Sequence, residues 1–155
     1  MLFSKFFGRR VTWGLTAALL GLQAMWVQAQ SNEANTIVVV TRRDAEIDKL
    51  SLEQVSRIFL GQLDVLPSGV SLTPVDAPET SALYADFYSK VLGKSPAQVK
   101  AYRSRQSFAG IGVPPRQAGS AAQAFKMGSR GSLVIAYIHK SDVTDQTLVL
   151  LDTGK

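Results

Sequence analysis

"LTPVDAPETSALYADFYSKVLGKSPAQVK" runs from Leu72 to Lys100, and its reading decides the fold. Val70 to Val75 reads as a short strand, weakened by Pro74, which cannot donate to a ladder. Leu83, Tyr84, Phe87, Tyr88, Val91 and Leu92 then recur at the spacing of one helix face. Gly93 supplies a left-handed stop. Ser95-Pro96-Ala97-Gln98 opens a further helix, with a hydroxyl cap, Pro at the first helical position and an amide closing the capping box. Between strand and helix sit Asp76, Pro78, Glu79, Thr80 and Ser81. A hydroxyl at such a junction caps the helix by accepting from its free N–H groups. The same N–H groups also suit a bound anion.

Working outward, the β-branched run Thr36 to Thr41 is continuous, which predicts a strand covered on both faces. Arg42 to Lys49 is charged and reads as loop. Ser51 and Gln54 form a capping box, Leu52, Val55, Ile58 and Phe59 make the apolar stripe, and Gly61 suits the stop. Leu63 to Gly69 is a turn region. Phe108 to Gln117, with Gly110, Gly112, Pro114 and Pro115, reads as loop. Ser120 and Gln123 suggest a third capping box for a short helix to about Met127. Leu133 to Ile138 and Leu148 to Leu151 read as strands. Alternating strands and helices predict an α/β fold on a partly parallel sheet of about four or five strands.

The first 29 residues stand apart. Lys5, Arg9 and Arg10 precede a stretch from Val11 to Val27 almost free of charge, and Val27-Gln28-Ala29 offers small residues for cleavage. This is the three-part pattern of a secretory signal peptide. The expected organisation is a signal peptide at 1–29 and one domain at 30–155. Cleavage removes three of the 17 basic residues and none of the 12 acidic ones, leaving 14 against 12. The net charge of +5 is thus largely an export feature, and nucleic-acid binding loses its main support. Both Trp residues leave with the segment. With no Cys in the chain, neither a disulfide framework nor a lipid-modified Cys is expected. The expectation is a soluble periplasmic protein that meets the membrane only through its signal segment.

Catalytic chemistry finds little footing. His139 is the only His; it follows a strand and is expected to be exposed. One His and no Cys leave no metal cluster. Gly110-Ile111-Gly112 lacks the third Gly of a dinucleotide fingerprint and runs into two prolines. "GSRGS" at Gly128 to Ser132 is not a nucleophile elbow. The chain is therefore expected to be neither an enzyme nor the holder of a cofactor.

"LSLEQVSRIFLGQ" from Leu50, the stretch from Leu72 through "AYRSRQSFAG", and "LVIAYI" from Leu133 together resemble the phosphate-binding branch of the periplasmic binding proteins, and in particular its short single-lobe relatives. The resemblance covers Thr36 to Leu151. It implies a single lobe like one domain of a type II periplasmic binding protein, with a mixed sheet flanked by helices. It also implies binding of phosphate or a related oxyanion in association with ABC-type phosphate transport. Aligned on Phe87, the family's anion-binding Ser falls at Ser81, its Gly and Thr on Ala82 and Leu83, and its Arg on Ala77. Arg103 stands where short relatives often carry Trp, and Ala136 replaces a Gly.

The candidate anion ligands are thus Thr80 and Ser81 at the helix start, with Thr41 and Arg42 at the carboxyl end of the first strand, where α/β ligands gather. Asp76 and Glu79 put negative charge where an anion should sit. Two functions follow as expectations. One is oxyanion capture, with a homodimer supplying a second wall and an ABC permease as partner. The other is a periplasmic partner or sensor-adaptor domain that has lost its ligand.

Overall fold

The computed structural model describes residues 35–111 and 113–154. The signal-peptide reading lies outside the described residues. The strands are β1 (Ile37–Arg42), β2 (Ser71–Asp76), β3 (Arg116–Gln117), β4 (Ser132–His139) and β5 (Thr147–Asp152). The α-helices are α1 (Leu52–Phe59), α2 (Ala82–Asp86), α3 (Pro96–Phe108) and α4 (Ala121–Phe125). The strands form one sheet of order β3-β2-β4-β1-β5. β2 pairs in parallel with β3 and β4, whereas β1 runs antiparallel to both β4 and β5.

The continuous apolar run at β1 is covered on both faces. Ile37 and Val39 join one buried cluster, and Val38 and Val40 join the other. Burying one such side chain stabilises by about 1.5–3 kcal/mol. The first face is the thick one. Val55, Ile58 and Phe59 of α1, Tyr84 of α2, Phe87 and Tyr88 just beyond it and Val99 of α3 pack there against Ile135 and Tyr137. Phe87 stacks on Tyr137 with ring centroids 3.7 Å apart, and Phe59 meets both rings edge-on. The second face is covered by the short α4 through Ala124, over Val75, Val134, Ala136 and Ile138. Every buried residue of the two clusters lies between Ile37 and Leu150, so a chain begun at Gln30 keeps the core that the described residues form.

Several local expectations are met. The boxes at Ser51/Gln54 and Ser95/Gln98 are both closed. Gly61 and Gly93 take φ of 70° and 63°, the left-handed stops the chain needs after α1 and before α3. Pro74 lies inside β2, but β3 pairs only with Val75 and Asp76, so the edge at Pro74 needs no donor. Other details differ. Leu52 is half-exposed rather than part of the apolar stripe. The helix after Ser81 relaxes at Phe87 into a π-helical turn to Val91, with the Leu92 N–H donating to the Phe87 carbonyl at 3.2 Å. Arg116 and Gln117, read as loop, form β3. At Ser120 the box is open, because the Gln123 amide oxygen accepts from the Gly119 N–H at 2.9 Å instead of from Ser120. His139 is half-buried, not exposed, because it ends a central strand.

Since β1 lies between them and runs opposite to both, β4 and β5 are parallel. Their connection, through a 3₁₀ turn at Lys140–Asp142 and on to Thr147, crosses the sheet from one end to the other. This crossover and α4 are the two walls of a groove over the second face.

Candidate functional site

β2 ends at Asp76, and the chain turns there into α2. Asp76 is buried, and its carboxylate is surrounded by donors. Tyr88 Oη donates to Oδ1 at 2.9 Å and Tyr137 Oη at 3.2 Å. Arg103 Nη2 meets Oδ2 at 2.8 Å. Side-chain exposure is 1% for Asp76 and 13% for Arg103, so this is a buried ion pair. The guanidinium also donates to the Phe59 carbonyl at 3.3 Å, to Tyr84 Oη at 3.4 Å and to Tyr88 Oη, and it lies 5.3 Å from the centre of the Tyr88 ring. Tyr137 Oη accepts from the Ala77 N–H at 3.2 Å.

Burial pushes the Asp76 carboxyl above its ordinary value, more strongly than Arg103 and the bonds from Tyr88 and Tyr137 pull it down. Burial alone would lower Arg103, but Asp76 and the neighbouring tyrosines leave it raised. Burial, with Asp76 nearby, also raises Tyr88 and Tyr137, which hold their protons as donors. An ion pair so enclosed is costly to desolvate, and geometry plus added hydrogen bonds must offset that cost.

Ser81 caps α2. Its Oγ accepts from the Tyr84 N–H at 3.1 Å and donates to the Pro78 carbonyl at 2.7 Å. Both roles of the hydroxyl are thus taken within the chain. Thr80 is exposed in the turn before it. Glu79 is exposed too, and its N–H donates to the Gln117 side chain at 3.4 Å. Ala77, at the position of the family's Arg, is buried.

The remaining candidates lie elsewhere. Thr41 is fully buried, with Oγ1 donating to the Val134 carbonyl at 2.7 Å. Arg42 is exposed and pairs with Asp44 beside it, which raises the guanidinium and lowers the carboxylate. Because β1 runs against β2, its carboxyl end lies at the opposite end of the sheet. Val40 pairs with Ala136, while Pro74 of β2 pairs with Ile135 and Asp76 continues past it. Ser81 and Arg42 are thus separated by several residues of strand, on the order of 10 Å. The structure brings Thr80 and Ser81 together and does not bring Thr41 or Arg42 to them.

The groove joins the two ends. Its larger part, about 700 Å³, runs between α4 and the crossover and is lined by Ser81, Pro78, Ala136, Ile138, Asp142 and Asp145 among others; no Lys or Arg lines it. The adjoining part, about 580 Å³, shares Ala122, Phe125, Asp145 and Gln146 and adds Arg42, Arg43, Asp44 and Lys126. The Arg42 end therefore mixes three cations with Asp44 and Asp145, whereas no Lys or Arg lines the Ser81 end.

Sequence reading singles out Asp76, Arg103, Tyr84 and Tyr88 without joining them, and meets Tyr137 only as part of a strand. Asp76 reads as a charge in the wrong place, Arg103 as a departure from pattern, and the tyrosines as core. The available signal is that the acidic pair Asp76 and Glu79 and the base Arg103 all depart from one family pattern.

The described residues define a class of fold, a mixed α/β domain built on one five-stranded sheet flanked by helices. No family model and no curated protein matches the sequence. Among solved structures, the crystal structure of an ABC-type phosphate transport receptor from Vibrio cholerae matches with a TM-score of 0.55 at 14% identity, over 74% of this chain and 45% of the receptor. The chain thus spans less than half the length of that receptor. At this identity the likeness is one of fold, a mixed α/β sheet flanked by helices. No helix among the described residues is long and apolar enough to cross a membrane.

Proposed function

We propose that this chain is an exported, periplasmic binding-protein lobe that works as a partner or sensor-adaptor domain rather than by enclosing phosphate. The observation that carries this reading is the Asp76–Arg103 ion pair. At the strand end next to the capped helix the buried guanidinium is taken by the protein's own carboxylate, and Ala77 stands where the resemblance puts the anion-binding Arg. The groove beside Ser81 repeats the sign, with Asp142 and Asp145 on its wall and no cation. A phosphate there would meet like charge from two exposed carboxylates, a repulsion that solvent and salt screen but do not reverse. No catalytic role is assigned to any residue.

The second reading is oxyanion capture as a component of ABC-type phosphate transport, with a second copy closing the site. The likeness in fold to the Vibrio cholerae phosphate transport receptor and the Ser81 hydroxyl at the groove mouth favour it. Thermal melting separates the two. A lobe with micromolar affinity gains about 4 kcal/mol at millimolar phosphate, which raises its melting temperature by many degrees. The partner reading expects no shift beyond that produced by sulfate. A phosphate-specific rise would support capture instead.

A further inference from the structure

From Phe87 to Ser141 the chain carries nine Lys and Arg and not one Asp or Glu. Within this stretch α3 ends in an apolar tip. Phe108 is 92% exposed, Ile111 58% and Val113 89%, the three most exposed large hydrophobics among the described residues. Arg105 lies one helical turn before Phe108 and Arg116 three residues after Val113; both are exposed. No ion pair among the described residues takes Lys100, Arg105 or Arg116.

The helix end is tied by backbone hydrogen bonds as far as Ile111. The Ala109 N–H bonds to the Arg105 carbonyl at 3.1 Å, Gly110 to Ser107 at 3.1 Å and Ile111 to Gln106 at 2.9 Å. Gly110 takes a φ of 69°, the left-handed turn that ends the helix. Pro114 and Pro115 stiffen the exit. The hollow beside Ile111 and Val113 measures only about 20 Å³. The tip thus offers projecting apolar side chains and no pocket to receive a partner's.

We propose that this tip is a membrane-docking element that inserts Phe108, Ile111 and Val113 into the boundary of an anionic phospholipid surface, with Arg105 and Arg116 against the headgroups. Charge selects the occupant. A second copy meeting tip to tip would set cation against cation, so the occupant is anionic. Projecting side chains without a complementary hole suit a fluid phase, in which apolar insertion and attraction to anionic lipid add. The inference goes beyond the function proposed above and does not depend on it.

The test uses the chain from Gln30, which keeps both cores and has no Trp. Its Phe108→Trp variant reports insertion by a blue shift of emission on mixing with phosphatidylglycerol–phosphatidylcholine vesicles. Pure phosphatidylcholine vesicles should give no shift, and high salt should reverse it. In co-sedimentation with the anionic vesicles, Phe108→Ser/Val113→Ser should lower the partition coefficient about tenfold and Arg105→Glu about fivefold or more. Leu52→Ser, an exposed apolar change on α1, should leave it unchanged, and equal melting temperatures should accompany all variants. Absence of binding by the parent, as expected if the tip serves an acidic protein, overturns the proposal. So does equal partition of parent and tip variants.

Discussion

Arg103 on α3 reaches across the thick face of the sheet to the last residue of β2, its Nη2 2.8 Å from Asp76 Oδ2. The contact links residues 27 positions apart and ties α3 to the strand end through one guanidinium. Removing the cation leaves a buried carboxylate without its charge partner, which typically costs about 3–5 kcal/mol. Arg103→Met should therefore be strongly destabilised at neutral pH. The deficit should also depend on pH. The folded Asp76 pKa already lies above its ordinary value and rises further without Arg103, so the folded state binds more protons than the unfolded chain in that window. Its contribution is fully present below the ordinary carboxylate value and is lost as pH rises through the folded value. Denaturant melts of the variant should show a modest deficit near pH 4 and a growing one towards pH 8. A deficit that shrinks with rising pH would contradict the assignment.

Asp76→Ala empties the position facing the guanidinium. The account expects this variant to be less stable than the parent and to regain several degrees of melting temperature with added formate or phosphate, while the parent gains none. A small anion can then replace the missing carboxylate on Arg103, Tyr88 and Tyr137. Failure of every small anion to rescue the variant would mean that the guanidinium does not constitute a latent anion site.

Tyr137→Phe tests the network on its tyrosine side. The hydroxyl donates to Asp76 and accepts from the buried Ala77 N–H. Its loss leaves a donor unsatisfied, at a cost of roughly 1–3 kcal/mol. Urea melts should show that loss with an unchanged slope. A neutral result would place the Ala77 N–H on another acceptor.

The Ser81 hydroxyl is a cap in this account. Ser81→Ala should cost about 1 kcal/mol, as cap losses do, with no change in any response to phosphate. A loss of phosphate response without loss of stability would restore Ser81 as a ligand.

The sheet is largely legible in the sequence because its signals are local. The β-branched run at β1, the capping hydroxyls at Ser51 and Ser95, and the helical spacing of Tyr84, Phe87 and Tyr88 each declare an element within a few residues. The site is less legible, because its members lie far apart in sequence and meet only once the sheet is assembled. The expectation that Arg42 shares a site with Ser81 assumes that β1 and β2 run the same way. Strand direction depends on pairing between β1 and β4, which no short stretch encodes. The π-helical turn at Phe87 and the two-residue β3 are likewise products of packing rather than of propensity. Asp76 is the instructive case: its charge is visible in the sequence and its partner is not.

The most direct test is isothermal titration of phosphate into the anion-stripped chain from Gln30, with sulfate as the control. The account predicts no saturable heat up to millimolar phosphate, because Asp76 already neutralises Arg103 and the groove beside Ser81 is acidic. Saturable, phosphate-specific binding at micromolar or lower Kd would contradict it and make this lobe a receptor in its own right.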